Sequence, residues 1–383
     1  MTVPQAEDMV FVQRVPAKVL PPPLTQVGVI GWARANLFSS IRSTVLTFFT
    51  AGVLIWIAVP IINFLLIDAV WSATDPAACL PRDGYEPGAC WAFIHERLGY
   101  FTYGSYPVAE RWRANLFFLL LAFGTGWMLW LDAPRRGFGA IYYFVVLPIL
   151  SFILLSGWPL IGLPTVATDL WGGMLVTIVV ATVGIVISLP LGIALALGRQ
   201  STMLAVRFLS ITFIEFVRGV PLITVLFMAS VMLPLFVPPE FSPDKLLRAL
   251  VGMVIFAAAY QAEVVRAGLE AIPRGQVEAA NALGLRYWRM NTSIVLPQAL
   301  RITIPNIVNS FIALFKDTSL VFFVGIFDFL KTIEIARLDP KWSGPNTSVT
   351  GYAFAAIVYF ICCSSMAKYA DSVERRLGRA DRR

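Results

Sequence analysis

A chain of 383 residues that is 58% hydrophobic and only 14% charged has too little polar surface to cover a water-soluble globule, so it is expected in a bilayer. Its formal charge of +7 suits the basic flanks that orient apolar spans, and no nucleic-acid partner is expected. One histidine, His95, and four cysteines without CxxC spacing (Cys79, Cys90, Cys362, Cys363) offer zinc or haem almost no ligands.

In chain order, residues 1–43 form a polar tail broken by Pro21, Pro22 and Pro23. It lacks a short apolar core with a cleavage site, so the first span is expected to act as its own insertion signal. Apolar stretches long enough to cross a bilayer fall at 44–71, 114–131, 139–162, 171–198, 203–237, 246–268, 298–315 and 350–366. The expected fold class is therefore an all-α polytopic membrane protein of about eight transmembrane helices.

The stretch 203–237 is too long for one straight crossing and holds Arg218, Gly219, Val220 and Pro221 near its middle, which predicts a broken or tilted span. In 171–198, Gly184, Pro190 and Gly192 suit close packing and a kink. Arginine and lysine gather in the amino-terminal tail, at Arg135–Arg136, at Arg199 and Arg207, in 266–301 and in the tail 371–383. That bias puts both termini in the cytoplasm, with 72–113 as a long outer loop whose Arg111 and Arg113 count among the outer cations. An oxidising exterior permits a Cys79–Cys90 disulfide there without requiring one. His95, in this polar outer loop, is expected to be a solvated surface residue rather than a ligand, and Cys362 and Cys363 small buried hydrophobes.

Between the sixth and seventh spans, segment 270–297 turns polar. Its stretch 276–283 is rich in helix formers, with Glu278 expected in the first turn and Gly284 placed for a left-handed cap. A second short helix is expected over 285–291. Small side chains (Ala279, Ala280, Ala282) make a knob that a partner's groove can approach closely.

Glu278-Ala279-Ala280, three residues, Gly284, nine residues, then Ile294-Val295-Leu296-Pro297 resembles the EAA loop of membrane subunits of binding-protein-dependent ABC importers. The resemblance covers 171–370, five spans of a type I importer core, and leaves 44–166 as a three-span extension. It implies that Glu278, Ala279, Ala280, Gly284, Leu285 and Pro297 couple the spans to separate ABC ATPase subunits, where ATP and magnesium reside. The chain itself carries no Gly-x-x-x-x-Gly-Lys-Ser/Thr loop. Stretches 215–222, 259–266 and 313–320 are similar to the polar amino acid permease branch, and the eight-span layout resembles the M-type subunit of the general L-amino-acid permease. Further implied partners are a second related permease subunit, a periplasmic amino-acid-binding protein, membrane lipid and an L-amino acid substrate, all in a bacterial inner membrane.

A zwitterion crossing a bilayer needs a cation for its carboxylate and an anion or carbonyls for its ammonium, and charges inside spans are costly enough to suggest a pathway. Arg218 lies some fifteen residues into its stretch, about 22 Å along a straight helix. It either meets substrate or pairs with Glu215 at i,i+3 to hold the broken helix. Glu263 with Arg266 carries the same two readings, and Lys316 and Asp317, expected at the outer end of the seventh span, either line an entrance or mark the interface. The rival classes are an ion-driven secondary transporter, for which no inverted repeat is visible, and a scaffold without a pathway.

Overall fold

The computed structural model describes residues 28–380 apart from Asp83, Leu131, Asp132 and Ser343; the side chains of Arg136, Pro239 and residues 377–380 are also outside the description. Arg14, Lys18 and the three tail prolines, like Arg382 and Arg383, lie outside the described residues. The backbone is helical, with only isolated β-bridges among the described residues.

Contacts divide the chain after Asp68. The described part of the first unit holds α1 (Gly28–Asn36) and α2 (Ile41–Ile62), which continues as a π-helical turn to Ile67. Ser40 caps α2 by accepting from the Ser43 N–H at 3.2 Å. No residue of α2 is buried and its surface is Leu, Ile, Val and Phe nearly all round, the pattern of a helix made for lipid.

The second unit begins with α3 (Trp91–Tyr103), α4 (Arg111–Leu129), α5 (Arg136–Ile141) and α6 (Leu147–Ser156), the last two joined by a π-helical turn. Then come α7 (Gly173–Arg199), α8 (Leu204–Arg218), α9 (Leu222–Phe227), α10 (Leu233–Phe236) and α11 (Lys245–Glu270). The remainder is α12 (Arg274–Ala282), α13 (Tyr287–Met290), α14 (Leu296–Asp317), α15 (Phe329–Ala336) and α16 (Pro345–Ala380). By length and apolarity seven helical stretches can cross a membrane, and eight if the bent α8–α10 pair counts as one span.

The central packing is α7 against α11, then α11 against α14 and α14 against α16. Gly192 makes the first contact possible: a Cβ there would sit 2.6 Å from Gln261 Cβ and 3.0 Å from the Ala262 nitrogen. Gly184 faces Leu314. Phe117 of α4 and Leu154 and Leu155 of α6 share one buried cluster with Leu175, Val176 and Val180 of α7, so these extension helices wedge into the core.

At the end of α7 away from segment 274–290, the loop after α2 folds onto the core. A disulfide joins Cys79 to Cys90, Cα atoms 5.7 Å apart, and both cysteines are buried with Phe93, Phe101, Phe329, Ile333 and Trp342. The Cys90 N–H donates to Thr350 Oγ1 at 2.9 Å, Arg97 pairs with Asp339, and Lys341 Nζ reaches Glu96 at 2.8 Å. That hydrogen-bonded ion pair holds the Glu96 carboxyl below its ordinary range. His95 is exposed on α3. Cys362 and Cys363 are half-buried free thiols on α16.

The sequence did not disclose one burial. Arg113, counted among the outer cations for orientation, is wholly buried in the first turn of α4, its guanidinium 2.8 Å from Glu110 and donating to the Pro164 carbonyl at 2.9 Å. α4 begins three residues before the apolar run does, and the Glu110 carboxylate compensates the buried charge.

Candidate functional site

Segment 270–297 folds as a knob. Pro273 precedes α12, whose missing donor suits a helix start. Leu283 caps the other end, and Gly284 takes φ +69°. The Gly284 N–H then donates to Asn281 O at 2.9 Å and the Leu285 N–H to Ala280 O at 3.1 Å, the two bonds of a Schellman stop. Only glycine adopts that φ without strain, which is the physical content of a glycine at this place in the motif.

Two local expectations change. Glu278 is the fifth residue of α12, in its second turn, because the helix starts at Arg274. The expected second short helix is α13, which runs through a π-helical turn (Asn291–Val295) directly into α14, giving a 38-residue stretch, Tyr287–Val324. At 1.5 Å per residue that is roughly 55 Å, far longer than a bilayer core, so its first turns stand out as part of the knob.

The knob is anchored on one side and bare on the other. Ala280, Met290 and Val295 are buried against Ala196 of α7, Ile214 of α8 and Ala262, Val265 and Leu269 of α11, with Leu285 packed beside them. Glu278, Ala279 and Gly284 are exposed, and so are three large apolar side chains that sequence reasoning did not single out: Leu283 at 78%, Trp288 at 68% and Tyr287 at 46%. Pro297 opens α14 at its first turn. The knob is thus rooted in three helices at once.

Directly beside the knob lies a charge cluster. Glu263 of α11 meets Arg266 at 2.5 Å, Arg218 at 3.4 Å and Arg199 at 3.8 Å; Arg199 also holds Glu215 at 2.7 Å, and Arg266 pairs with Glu270. The Arg218 guanidinium stands 5.7 Å from the centroid of the Tyr260 ring. Three arginines and three glutamates, drawn from α7, α8 and α11, balance one another.

This geometry corrects the expected depth of Arg218 and, of the two readings left open for it, replaces the i,i+3 pairing with Glu215 by a pairing across helices. The chain bends by 105° between α8 and the helix after it, so length along α8 does not become depth along α7 and α11. Arg218 therefore sits level with Arg199, the last residue of α7, and it pairs across helices with Glu263 while Glu215 turns to Arg199. Arg199 was visible only as an orientation signal; nothing local in the sequence marks it as part of this cluster.

Lys316 and Asp317 also move. They are not the end of their span, since the helix tightens into a 3₁₀ segment, Thr318–Val324, that carries the apolar run onward. Lys316 is exposed, and half-buried Asp317 lines a 280 Å³ cavity between α11 and α14 with Tyr260, Gln261 and Ser310. Gln261 is 1% exposed and its Oε1 has no partner. The cavity thus gathers a carboxylate, an amide, a hydroxyl and an aromatic face, groups able to hold an ammonium and a small polar solute.

Residues 188–379 match the binding-protein-dependent transport system inner membrane component family. An inner membrane amino-acid ABC transporter permease protein, YhdY, of Escherichia coli K12 is 48% identical over 345 residues, 90% of this chain and 92% of that one. The glutamate/glutamine/aspartate/asparagine transport system permease protein BztC of Rhodobacter capsulatus is 42% identical over 94% of this chain and 96% of its own length. The crystal structure of an amino acid ABC transporter with histidines is similar over 53% of this chain and 92% of that chain, at 25% identity and a TM-score of 0.47. Members of the family are multi-pass permease subunits of the bacterial inner membrane that work with ABC ATPases and binding proteins and are not themselves the catalytic subunit. The chain belongs to the binding-protein-dependent transport system inner membrane component family and is a permease subunit of an ABC importer.

Proposed function

We propose that this subunit forms half of the path by which an L-amino acid is imported, paired with a second, related permease subunit rather than with a copy of itself. A periplasmic binding protein delivers the solute, and two partner ATPases hold ATP and magnesium. Both termini and the knob face the cytoplasm, as the arginine bias requires. The observation that carries the reading is the knob itself, bare on Leu283, Tyr287 and Trp288 and rooted in α7, α8 and α11. Exposed aromatics on a rigid helical pair suit seating in an ATPase groove. Glu278, Ala279 and Gly284 would line that contact, while Leu285 and Pro297 hold its base.

Amino acid as substrate rests on the likeness to the two amino-acid permease relatives, YhdY and BztC. The Asp317 cavity suits the solute's ammonium; the Arg218–Glu263 cluster serves as a helix clamp next to the knob.

Co-purification in mild detergent followed by mass identification tests the reading. An ATPase and a second permease subunit, with hydrolysis stimulated by amino acid plus binding protein, are expected. Amino acid uptake into vesicles by the lone chain without ATP would overturn it in favour of an ion-driven carrier, and a complex assembled around it that conducts nothing would favour a scaffold.

A further inference from the structure

A second cavity, of 330 Å³, lies apart from the Asp317 cavity and the knob, in the seam where α4 and α6 meet α7 and α11. Its walls run along α7 from Trp171, just before the helix, to Ile187, sixteen residues or about 24 Å. That is the depth of most of one bilayer core. The lining is aliphatic and aromatic through its deep part, with Leu147, Val183 and Val186, and it opens sideways past exposed Phe152, Ile187 and Leu247. A cavity of this length and lining suits one extended acyl chain.

Polar groups gather at one end, the end of α11 opposite the knob. Thr168 Oγ1 donates to Asp244 Oδ2 at 2.7 Å, and Lys245 stands 3.7 Å from Asp169, both exposed. Trp171 is 4% exposed and its indole N–H has no partner; the Ser151 hydroxyl, about a turn and a half deeper from the end of α6, has none either. A buried donor without an acceptor is costly, and an ester carbonyl is an acceptor that an apolar chain brings with it. Beside these donors stand one cation, Lys245, and two carboxylates, Asp169 and Asp244; the cation suits a phosphate and the carboxylates suit an ammonium.

We infer that the seam binds one phospholipid with an amine headgroup, its acyl chain in the slot, its ester near Trp171 and Ser151, and its phosphate and ammonium on Lys245 and Asp169. Between lipid and protein there is no hydrophobic driving force, so retention depends on van der Waals fit and the polar end, both of which this seam provides. The lipid would then bridge the extension helices α4 and α6 to the importer core, giving them a role beyond bracing. This goes beyond the transport reading and does not depend on it.

The test uses the complete complex in membranes and a phosphatidylethanolamine whose acyl chain carries a diazirine. After irradiation, adducts are mapped by peptide mass analysis, with exposed α2 as the reference for bulk lipid. Labelling of peptides 147–156 and 171–187 is expected to saturate at low probe fraction. Val183→Trp, which fills the slot, is expected to lower it about tenfold with α2 unchanged. Should V183W fail to assemble, Ser151→Phe fills the same slot from α6. Asp169→Asn is expected to abolish the preference for this probe over a phosphatidylglycerol probe. Seam labelling that never exceeds that of α2, persists in the filled variants, or shows no headgroup preference would overturn the proposal.

Discussion

The two ends of the core are built on opposite principles. At the α3–α15 end, chain segments far apart in sequence satisfy one another: Arg97 with Asp339, Glu96 with Lys341, Cys90 with Thr350, and the Cys79–Cys90 bridge buried among aromatic rings. At the knob end the inner face is packed while the outer face leaves Leu283, Tyr287 and Trp288 bare. One end is closed on itself and the other leaves an apolar face bare; under the proposed docking of the knob, damage at the first should cost stability and damage at the second should cost coupling.

Gly284→Val and Glu278→Lys break the comparison most severely. Valine at φ +69° is strained by at least ~1–2 kcal/mol and disrupts the Schellman stop. Lysine inverts the charge on the exposed face of α12. Both variants are expected to reach the membrane in normal amount while ATP-driven uptake falls to background, measured with labelled amino acid in proteoliposomes. Normal uptake by both would remove the knob from the coupling path.

Glu263→Gln sharpens the same comparison from inside. It leaves Arg199, Arg218 and Arg266 facing one another around a neutral amide. Assembly is expected to persist while stimulation of hydrolysis by loaded binding protein drops about tenfold, within the range for a residue that transmits but does not contact either ligand. An unchanged stimulation with a lower melting temperature would make the cluster purely structural.

Cys90→Ser reports on the closed end. The bridge spans a sequence separation of 11, for which chain entropy alone gives about 3 kcal/mol. The melting midpoint is expected to fall by several degrees, and limited proteolysis to open 72–90 first, with uptake per folded complex nearly unchanged. Equal sensitivity of wild type and variant to protease would show that the ion pairs alone close this end.

Which of these features the sequence discloses follows from how far apart their parts lie. Spans announce themselves because apolarity is a property of a continuous stretch, and Gly284 is legible because a Schellman stop is complete within six residues. The broken span was legible from Gly219 and Pro221, yet not its 105° bend, and without the bend Arg218 is assigned the wrong depth and partner. Burial of Arg113 depends on Pro164, and the closed end depends on contacts between α3 and α15 some 240 residues apart; no local pattern encodes either. The fusion of α13 to α14 escaped because polar Asn291, Thr292 and Ser293 read as a break, whereas the backbone continues through them as a π-helical turn.

The last expected effect, visible only above pH 6, concerns the closed end. Asp328 is wholly buried at the start of α15, where it accepts from the N–H groups of Leu330 at 3.0 Å and Lys331 at 3.2 Å; the charged or titratable groups near it are Lys331 and, from α16, Tyr359. Burial outweighs those bonds and pushes its carboxyl up to about 6. The folded chain therefore holds this proton more tightly than the unfolded one, and the associated stability is complete below the ordinary carboxylate pKa of 3.8 and lost as pH rises through about 6. Asparagine keeps an acceptor for the cap without the charge. Melting midpoints of wild type and Asp328→Asn should lie closest near pH 4 and separate above pH 6 in favour of the variant, the stability difference reaching on the order of 3 kcal/mol at most. The reverse separation would mean that the two N–H groups and Lys331 stabilise the anion more than burial opposes it, and the closed end would then be held by a buried charge rather than in spite of one.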